Sequence, residues 1–159
     1  MPEPLPGLIY LSDYQGDGEK YLDGLYILYL SDIVNAGLSY NGLPIRYQFR
    51  PKTNGKGFGF WHLISEGDTE EDRTPDPRRC ERILWIPWII KQVGKNPEIV
   101  WFESKRKNNT HIVLWYRSQG YAVILAIRDG YYLLKSAYSL APKRAITFEK
   151  EWKAFWGKG

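Results

Sequence analysis

The chain has 159 residues, of which 43% are hydrophobic and 25% are charged, and this composition excludes a disordered or fibrous polypeptide. Its single cysteine, Cys80, excludes an internal disulfide, and one cysteine with two histidines excludes a cysteine-rich zinc site. The formal net charge is +4, but residues 1–80 carry 8 Lys and Arg against 12 Asp and Glu, whereas residues 81–159 carry 14 against 6.

The N-terminal region is predicted to be extended over residues 1–14, where several prolines oppose a helix, and helical over residues 18–36. Apolar residues in the second stretch recur at intervals of three and four, and Gly37 follows as a stop signal. We expect this acidic helix to cover a sheet.

Two strands are predicted next, over residues 43–49 and residues 58–64. Alternation in the second strand would place His62 on the same face as Phe60. The acidic stretch that follows, residues 65–74, lacks the ordered acidic spacing of a calcium loop and is interpreted as a solvated loop.

A helix is predicted from Pro77 to about Val93, because Asp76 is a good N-terminal cap before a proline and Gly94 is a stop signal. Pro87 is expected to kink or interrupt this helix. Cys80 falls on its apolar stripe and is interpreted as a buried thiol.

The last third is the clearest β region. Four strands are predicted at residues 97–104, 110–117, 121–128 and 131–138. An Asp-Gly pair joins the last two, which is typical of a tight hairpin, and a short terminal helix or tail is predicted over residues 145–155. The chain is therefore predicted to be a single α+β domain, residues 1–159, with N-terminal helices packed on a four-stranded or slightly larger antiparallel sheet.

The sequence contains the groups that metal-free RNA cleavage requires. That reaction needs a base for the ribose 2′-hydroxyl, an acid for the leaving oxygen, and cations for the phosphorane. Histidine suits either proton-transfer role because its ordinary pKa lies near 6.5, and arginine suits the phosphate because its planar fork donates two hydrogen bonds.

His62 is the first candidate for acid or base, although a histidine satisfied by one hydrogen bond in a folded core is the alternative. Arg78, Arg79 and Arg82 at the start of the predicted helix would form a phosphate clamp, or else an ordinary surface cluster paired with Glu81.

Further candidates lie in the basic second half. His111 is interpreted as structural, since the sequence shows no sign that it meets His62. Ser136 and Tyr138, expected on the same strand face as Tyr132 and Leu134, could supply a hydroxyl for phosphate binding or simply complete the edge of the core. Basic residues at turns could hold an RNA backbone or simply be solvated; they are Lys105, Arg106, Lys107, Lys143 and Arg144.

Four segments, residues 59–63, 78–83, 121–126 and 131–138, resemble phage-type members of the BECR superfamily. This is the barnase–EndoU–colicin–RelE group of metal-independent ribonucleases and toxins, and the resemblance spans about residues 18–150. It implies helices on a four-stranded antiparallel sheet, and a site on the sheet face that needs no metal or cofactor. By position it implies catalytic roles for these residues: His62, Arg79, Arg82, Ser136 and Tyr138.

The resulting hypothesis is an endoribonuclease whose partners are RNA and, as in toxin-like systems, an inhibitor or antitoxin protein. The alternatives are a non-catalytic RNA-binding module, suggested by the basic turns and aromatic residues, and a protein-interaction subunit that uses the acidic N-terminal helix. The short apolar runs and the N-terminal composition predict a soluble cytoplasmic protein with no membrane partner.

Overall fold

A computed structural model describes residues 4–66 and 74–157, except for the side chain of Arg106. In chain order its elements are α1 (Gly18–Leu28), β1 (Ser39–Tyr40), β2 (Leu43–Arg46), α2 (Phe58–Ile64), β3 (Ser65–Glu66), β4 (Thr74–Pro75), α3 (Pro77–Glu81), α4 (Trp85–Gln92), β5 (Ile99–Arg106), β6 (Asn109–Tyr116), β7 (Tyr121–Arg128), β8 (Tyr131–Ser139) and α5 (Pro142–Gly157). The α+β class is confirmed. Residues 67–73 of the predicted acidic loop lie outside the described residues.

The predicted N-terminal helix is confirmed, with a change of winding along it. The side chain of Asp17 caps α1, and the helical path continues beyond it through a π-helical segment, Tyr29–Ile33, and a 3-10 turn, Val34–Ala36. One stripe of this path enters the core, made of Tyr21, Leu25, Tyr29 and Ile33. The region before it is less extended than predicted, since Leu11–Tyr14 forms a 3-10 turn.

The predicted strand over residues 58–64 is wrong, because these residues form helix α2. Its buried residues follow helical spacing and are Gly59, Phe60, Leu63 and Ile64. Gly59 permits the close approach of this helix to an extended segment, since its N–H donates to the Gln48 carbonyl at 2.7 Å. His62 therefore occupies the last turn of a helix rather than a sheet face.

The predicted helix over residues 77–93 is two helices, α3 and α4, with a break at residues 82–84. Pro87 is the third residue of α4, where a missing N–H breaks no intrahelical bond. The start of α3 is as predicted, because the Asp76 carboxylate accepts a bond from the Arg79 backbone N–H at 3.3 Å.

Within the described residues, six strands form one sheet in the order β1-β2-β8-β7-β6-β5. The four predicted strands are confirmed as an antiparallel meander, β5 to β8. The expectation of a purely antiparallel sheet is wrong, because β2 lies parallel to the first half of β8, with Ile45 opposite Tyr132. The sheet is therefore larger than four strands and mixed.

The two faces of the sheet are covered by different parts of the chain. The N-terminal helical path, α2 and α4 bury one face, whereas the C-terminal helix α5, longer than predicted, packs on the other through Phe148. Phe148 is fully buried against Phe102, Val113 and Trp115. Because α5 covers only part of its face, the remainder of that face stays accessible.

An irregularity in β8 changes which side chains reach this second face. Ile124 pairs with Ser136 whereas Leu125 pairs with Leu134, so Lys135 is the extra residue of a β-bulge. Consequently Leu134 faces the helices of the N-terminal half, but Ser136 faces the α5 side. The expectation that Ser136 and Tyr138 share a face with Tyr132 and Leu134 is wrong, since the bulge shifts the alternation by one residue.

We expect Gly59→Ala to destabilise the fold by about 1–3 kcal/mol, the usual cost of overpacking. A Cβ atom at this position would lie 2.9 Å from the Gln48 carbonyl oxygen, which is backbone and cannot rotate away. Gly18→Ala is the control, because a Cβ there meets nothing within 4 Å, and we expect a change within about 0.5 kcal/mol. Equilibrium urea unfolding measures both; equal stability of the two variants would contradict the packing argument.

Candidate functional site

A cavity of about 290 Å³ opens on the second face of the sheet, between the end of α2 and the start of α5. Its floor is apolar and buried, formed by Val113, Ile124 and Phe148. The other described residues that line it are polar or basic: His62, Ser104, His111, Lys135, Ser136, Tyr138 and Arg144. No carboxylate side chain is among these lining residues, so the cavity presents positive charge to a ligand.

Five elements deliver these polar and basic side chains. His62 comes from the last turn of α2, and Arg144 comes from the first turn of α5. His111 lies directly opposite Ser104 across β5 and β6. The bulge in β8 supplies Lys135 and Ser136, and Tyr138 follows two residues later on the same face.

Of the candidates from the sequence, His62, Ser136, Tyr138 and Arg144 come together here. His111, which sequence reasoning interpreted as structural, lines the same cavity as His62. Lys135 and Ser104 also line the cavity, although the sequence patterns predict no role for either residue. A basic residue directly before Ser136 was the available signal for Lys135, whereas the approach of the two histidines depends on long-range pairing.

Two arginines flank the ring of Tyr138. The guanidinium carbon of Arg79 lies 5.5 Å from the ring centroid, and that of Arg144 lies 5.8 Å from it. Arg144 Nη2 also donates to the Tyr138 hydroxyl at 3.4 Å. These contacts restrain the phenol ring at the cavity wall.

Arg79 has a positioning role visible in its bonds. Its Nη1 donates to the carbonyl of Ser65 at 2.7 Å and to that of His62 at 3.2 Å. A cation at the C-terminal end of a helix satisfies carbonyls that have no partner within the helix and favours the helix dipole. Arg79 therefore holds the end of α2 that carries His62, and it does not itself line the cavity.

The two neighbouring arginines also lie outside the cavity lining. Arg82 stacks on Trp85 at 5.2 Å and donates to the Arg78 carbonyl at 3.2 Å and to the Glu81 carboxylate at 3.4 Å. The side chain of Arg78 is exposed. The predicted arginine cluster is therefore divided: Arg79 lies behind the cavity wall, whereas Arg78 and Arg82 lie away from the cavity.

The basic turn residues are dispersed. Lys105 lines a separate cavity with Glu103 and Glu151, and Lys107 is exposed at the β5–β6 turn. Lys143 is exposed one residue before Arg144, and the side chain of Arg106 lies outside the described residues.

Two further polar side chains, those of Ser104 and Cys80, are buried. The Ser104 side chain is buried and its Oγ donates to the Glu151 carboxylate at 2.6 Å, which places a negative charge beside the histidine strand. Cys80 is 2% exposed, and burial raises the pKa of its thiol to about 12. The interpretation of Cys80 as a buried thiol is therefore confirmed.

We expect Arg79→Ala to lower the free energy of unfolding by about 1–3 kcal/mol, because it leaves two helix-terminal carbonyls without their charged donor. Arg78→Ala is the matched control, since that side chain is exposed, and we expect a change within about 0.5 kcal/mol. Chemical unfolding followed by tryptophan fluorescence compares the two. An unchanged midpoint for Arg79→Ala would show that these bonds do not hold α2.

The described residues contain no cluster of three or more His, Cys, Asp or Glu able to hold a metal ion. None of their helices is long and apolar enough to cross a membrane. No family model, curated protein or solved structure matches the chain.

Proposed function

We propose that the protein is a metal-independent endoribonuclease that cleaves RNA by attack of the ribose 2′-hydroxyl on the adjacent phosphorus. The observation that supports this most directly is the convergence of two imidazoles, two cations and three hydroxyls in one cavity. At about 290 Å³ the cavity lies near the lower end of typical ligand sites, which suits a ribose phosphate rather than a whole oligonucleotide.

The two histidines would divide the proton transfers. One imidazole in its neutral form accepts the 2′-hydroxyl proton as that oxygen bonds to phosphorus. The other, as an imidazolium, donates a proton to the departing 5′-oxygen when its bond to phosphorus breaks. The products are a 2′,3′-cyclic phosphate and a 5′-hydroxyl end. His62 and His111 arrive from a helix and a strand, so they reach the phosphate from different elements.

The remaining lining residues would stabilise the phosphorane. Lys135 and Arg144 supply positive charge, and the hydroxyls of Ser136 and Tyr138 supply hydrogen-bond donors. Preorganised donors of this kind each contribute roughly 10²- to 10³-fold in other enzymes. Arg79 would act as a positioning residue, through its bonds to the end of α2.

We expect His62→Ala and His111→Ala each to lower kcat by roughly 10²- to 10⁴-fold, because each removes one proton-transfer group. The double variant should lose little more than the worse single variant, since the groups act as a unit. A labelled RNA incubated in EDTA, with analysis of the product ends, gives the measurement.

Undiminished cleavage by His62→Ala would remove that histidine from the chemistry. If the wild-type protein binds RNA with a strong salt dependence yet forms no product, the non-catalytic RNA-binding alternative replaces the proposal. The exposed lysines Lys105, Lys107 and Lys143 favour that alternative as the second candidate.

We expect Arg144→Ala and Lys135→Ala to lower kcat by roughly 10²-fold, because each removes a cation at the developing negative charge. Lys143→Ala is the matched control: it lies in the same turn of α5, is exposed and does not line the cavity. It should leave kcat unchanged and weaken RNA binding only slightly at low salt. Equal loss of kcat/KM in all three variants, with kcat unchanged, would point to general attraction of RNA instead of a defined site.

A further inference from the structure

A second cavity, of about 300 Å³, also borders α2. Its described lining residues are Pro51, Thr53, Asn54, Phe58, Trp61, Ser65 and Pro75. None of these side chains carries a formal charge, and two of them are aromatic. Among the described residues, the lining of the second cavity is therefore uncharged, whereas that of the cavity containing His62 is basic.

The two cavities share a wall. Phe58 lines the second cavity, and its ring lies against the His62 ring with centroids 4.2 Å apart. The contact follows from helical spacing, because residues four apart lie on the same side of a helix. One pair of adjacent rings thus separates the proposed phosphate site from a cavity whose described lining is aromatic and uncharged.

We propose that this second cavity is a nucleobase-binding subsite, which receives a base adjacent to the phosphate held beside His62. The inference rests on the proposed function and adds the class of ligand recognised there. In a nucleotide the neutral planar base is separated from the anionic phosphate by one ribose. The two neighbouring cavities match this arrangement, because the described lining of one is uncharged and that of the other is basic. The adjacent rings of Phe58 and His62 lie between them.

The second cavity is fixed before any ligand enters. Trp61 Nε1 donates to the Thr53 carbonyl at 3.0 Å, which anchors the indole. Backbone bonds in both directions between Thr53 and Lys56, at 2.9 and 3.0 Å, close the loop that carries Asn54. A preformed aromatic site avoids much of the ordering cost of binding.

The lining also offers a means to distinguish bases. Asn54 has an amide that both donates and accepts, so it can pair with the polar edge of a base. Phe58 and Trp61 supply the aromatic rings of the lining, and any base can stack on an aromatic ring. Stacking would provide affinity, and the Asn54 amide would provide preference among bases.

The test uses 2′-O-methyl tetranucleotides, which cannot undergo the cleavage reaction, together with a matched set in which each base in turn is replaced by an abasic residue. Binding is followed by fluorescence anisotropy of a terminal dye. We expect removal of one particular base to weaken wild-type binding by roughly 5- to 150-fold, the range for stacking of one base on an aromatic side chain.

We expect Trp61→Leu to remove this difference and Trp61→Phe to retain most of it, because phenylalanine keeps a ring face. Trp156→Leu is the matched control, since Trp156 is a 51% exposed tryptophan on α5 that does not line the second cavity. It should bind like the wild type.

Equal affinity of the wild type for all the oligonucleotides would overturn the subsite, as would a Trp61→Leu defect that is the same with and without the base. The outcome is independent of catalysis. A base preference that depends on Trp61 in a protein that cleaves no RNA would support the subsite while refuting the nuclease. Cleavage that depends on His62 without any base preference would do the reverse.

Discussion

Strand β8 contributes apolar side chains to the core on one face of the sheet and polar side chains to the cavity on the other. The extra residue, Lys135, shifts the two-residue alternation of the strand so that both are possible. Before the bulge, Tyr132 and Leu134 pack into the core beneath the N-terminal helices. After it, Ser136 and Tyr138 point to the opposite side. A regular strand would have buried these two polar side chains under the helices. The candidate site therefore depends on one irregularity in hydrogen-bond register.

The candidate site also depends on helix α5, which packs on the second face of the sheet beside the cavity. Phe148 seals the apolar middle of the second face against Phe102 and Trp115, so the sheet loses little apolar area to water. His111 and Ser136, on the same face of the sheet, line the cavity around this apolar floor. A concave site with an apolar floor and polar walls results, which is the usual form of a ligand-binding site.

Local signals in the sequence were sufficient for much of the fold. The strands of the meander, the Asp76 cap and the N-terminal helix each follow from turn chemistry and periodicity within a dozen residues. The strand prediction for residues 58–64 was wrong because a mostly apolar run of seven residues fits both the strand period and the helix period. In the folded protein these residues form a helix in which Gly59 lies in close contact with the backbone of Gln48. His111 was undervalued for a different reason: its relation to His62 exists only after distant elements pack.

The candidate site is completed by α5, the last element of the described residues. Its floor strands, β5 to β8, all precede α5 in the sequence, whereas Arg144 and Phe148 belong to α5 itself. A change that loosens α5 would therefore displace the Arg144 guanidinium and the Phe148 ring together, and it would expose the histidine-bearing strand to water.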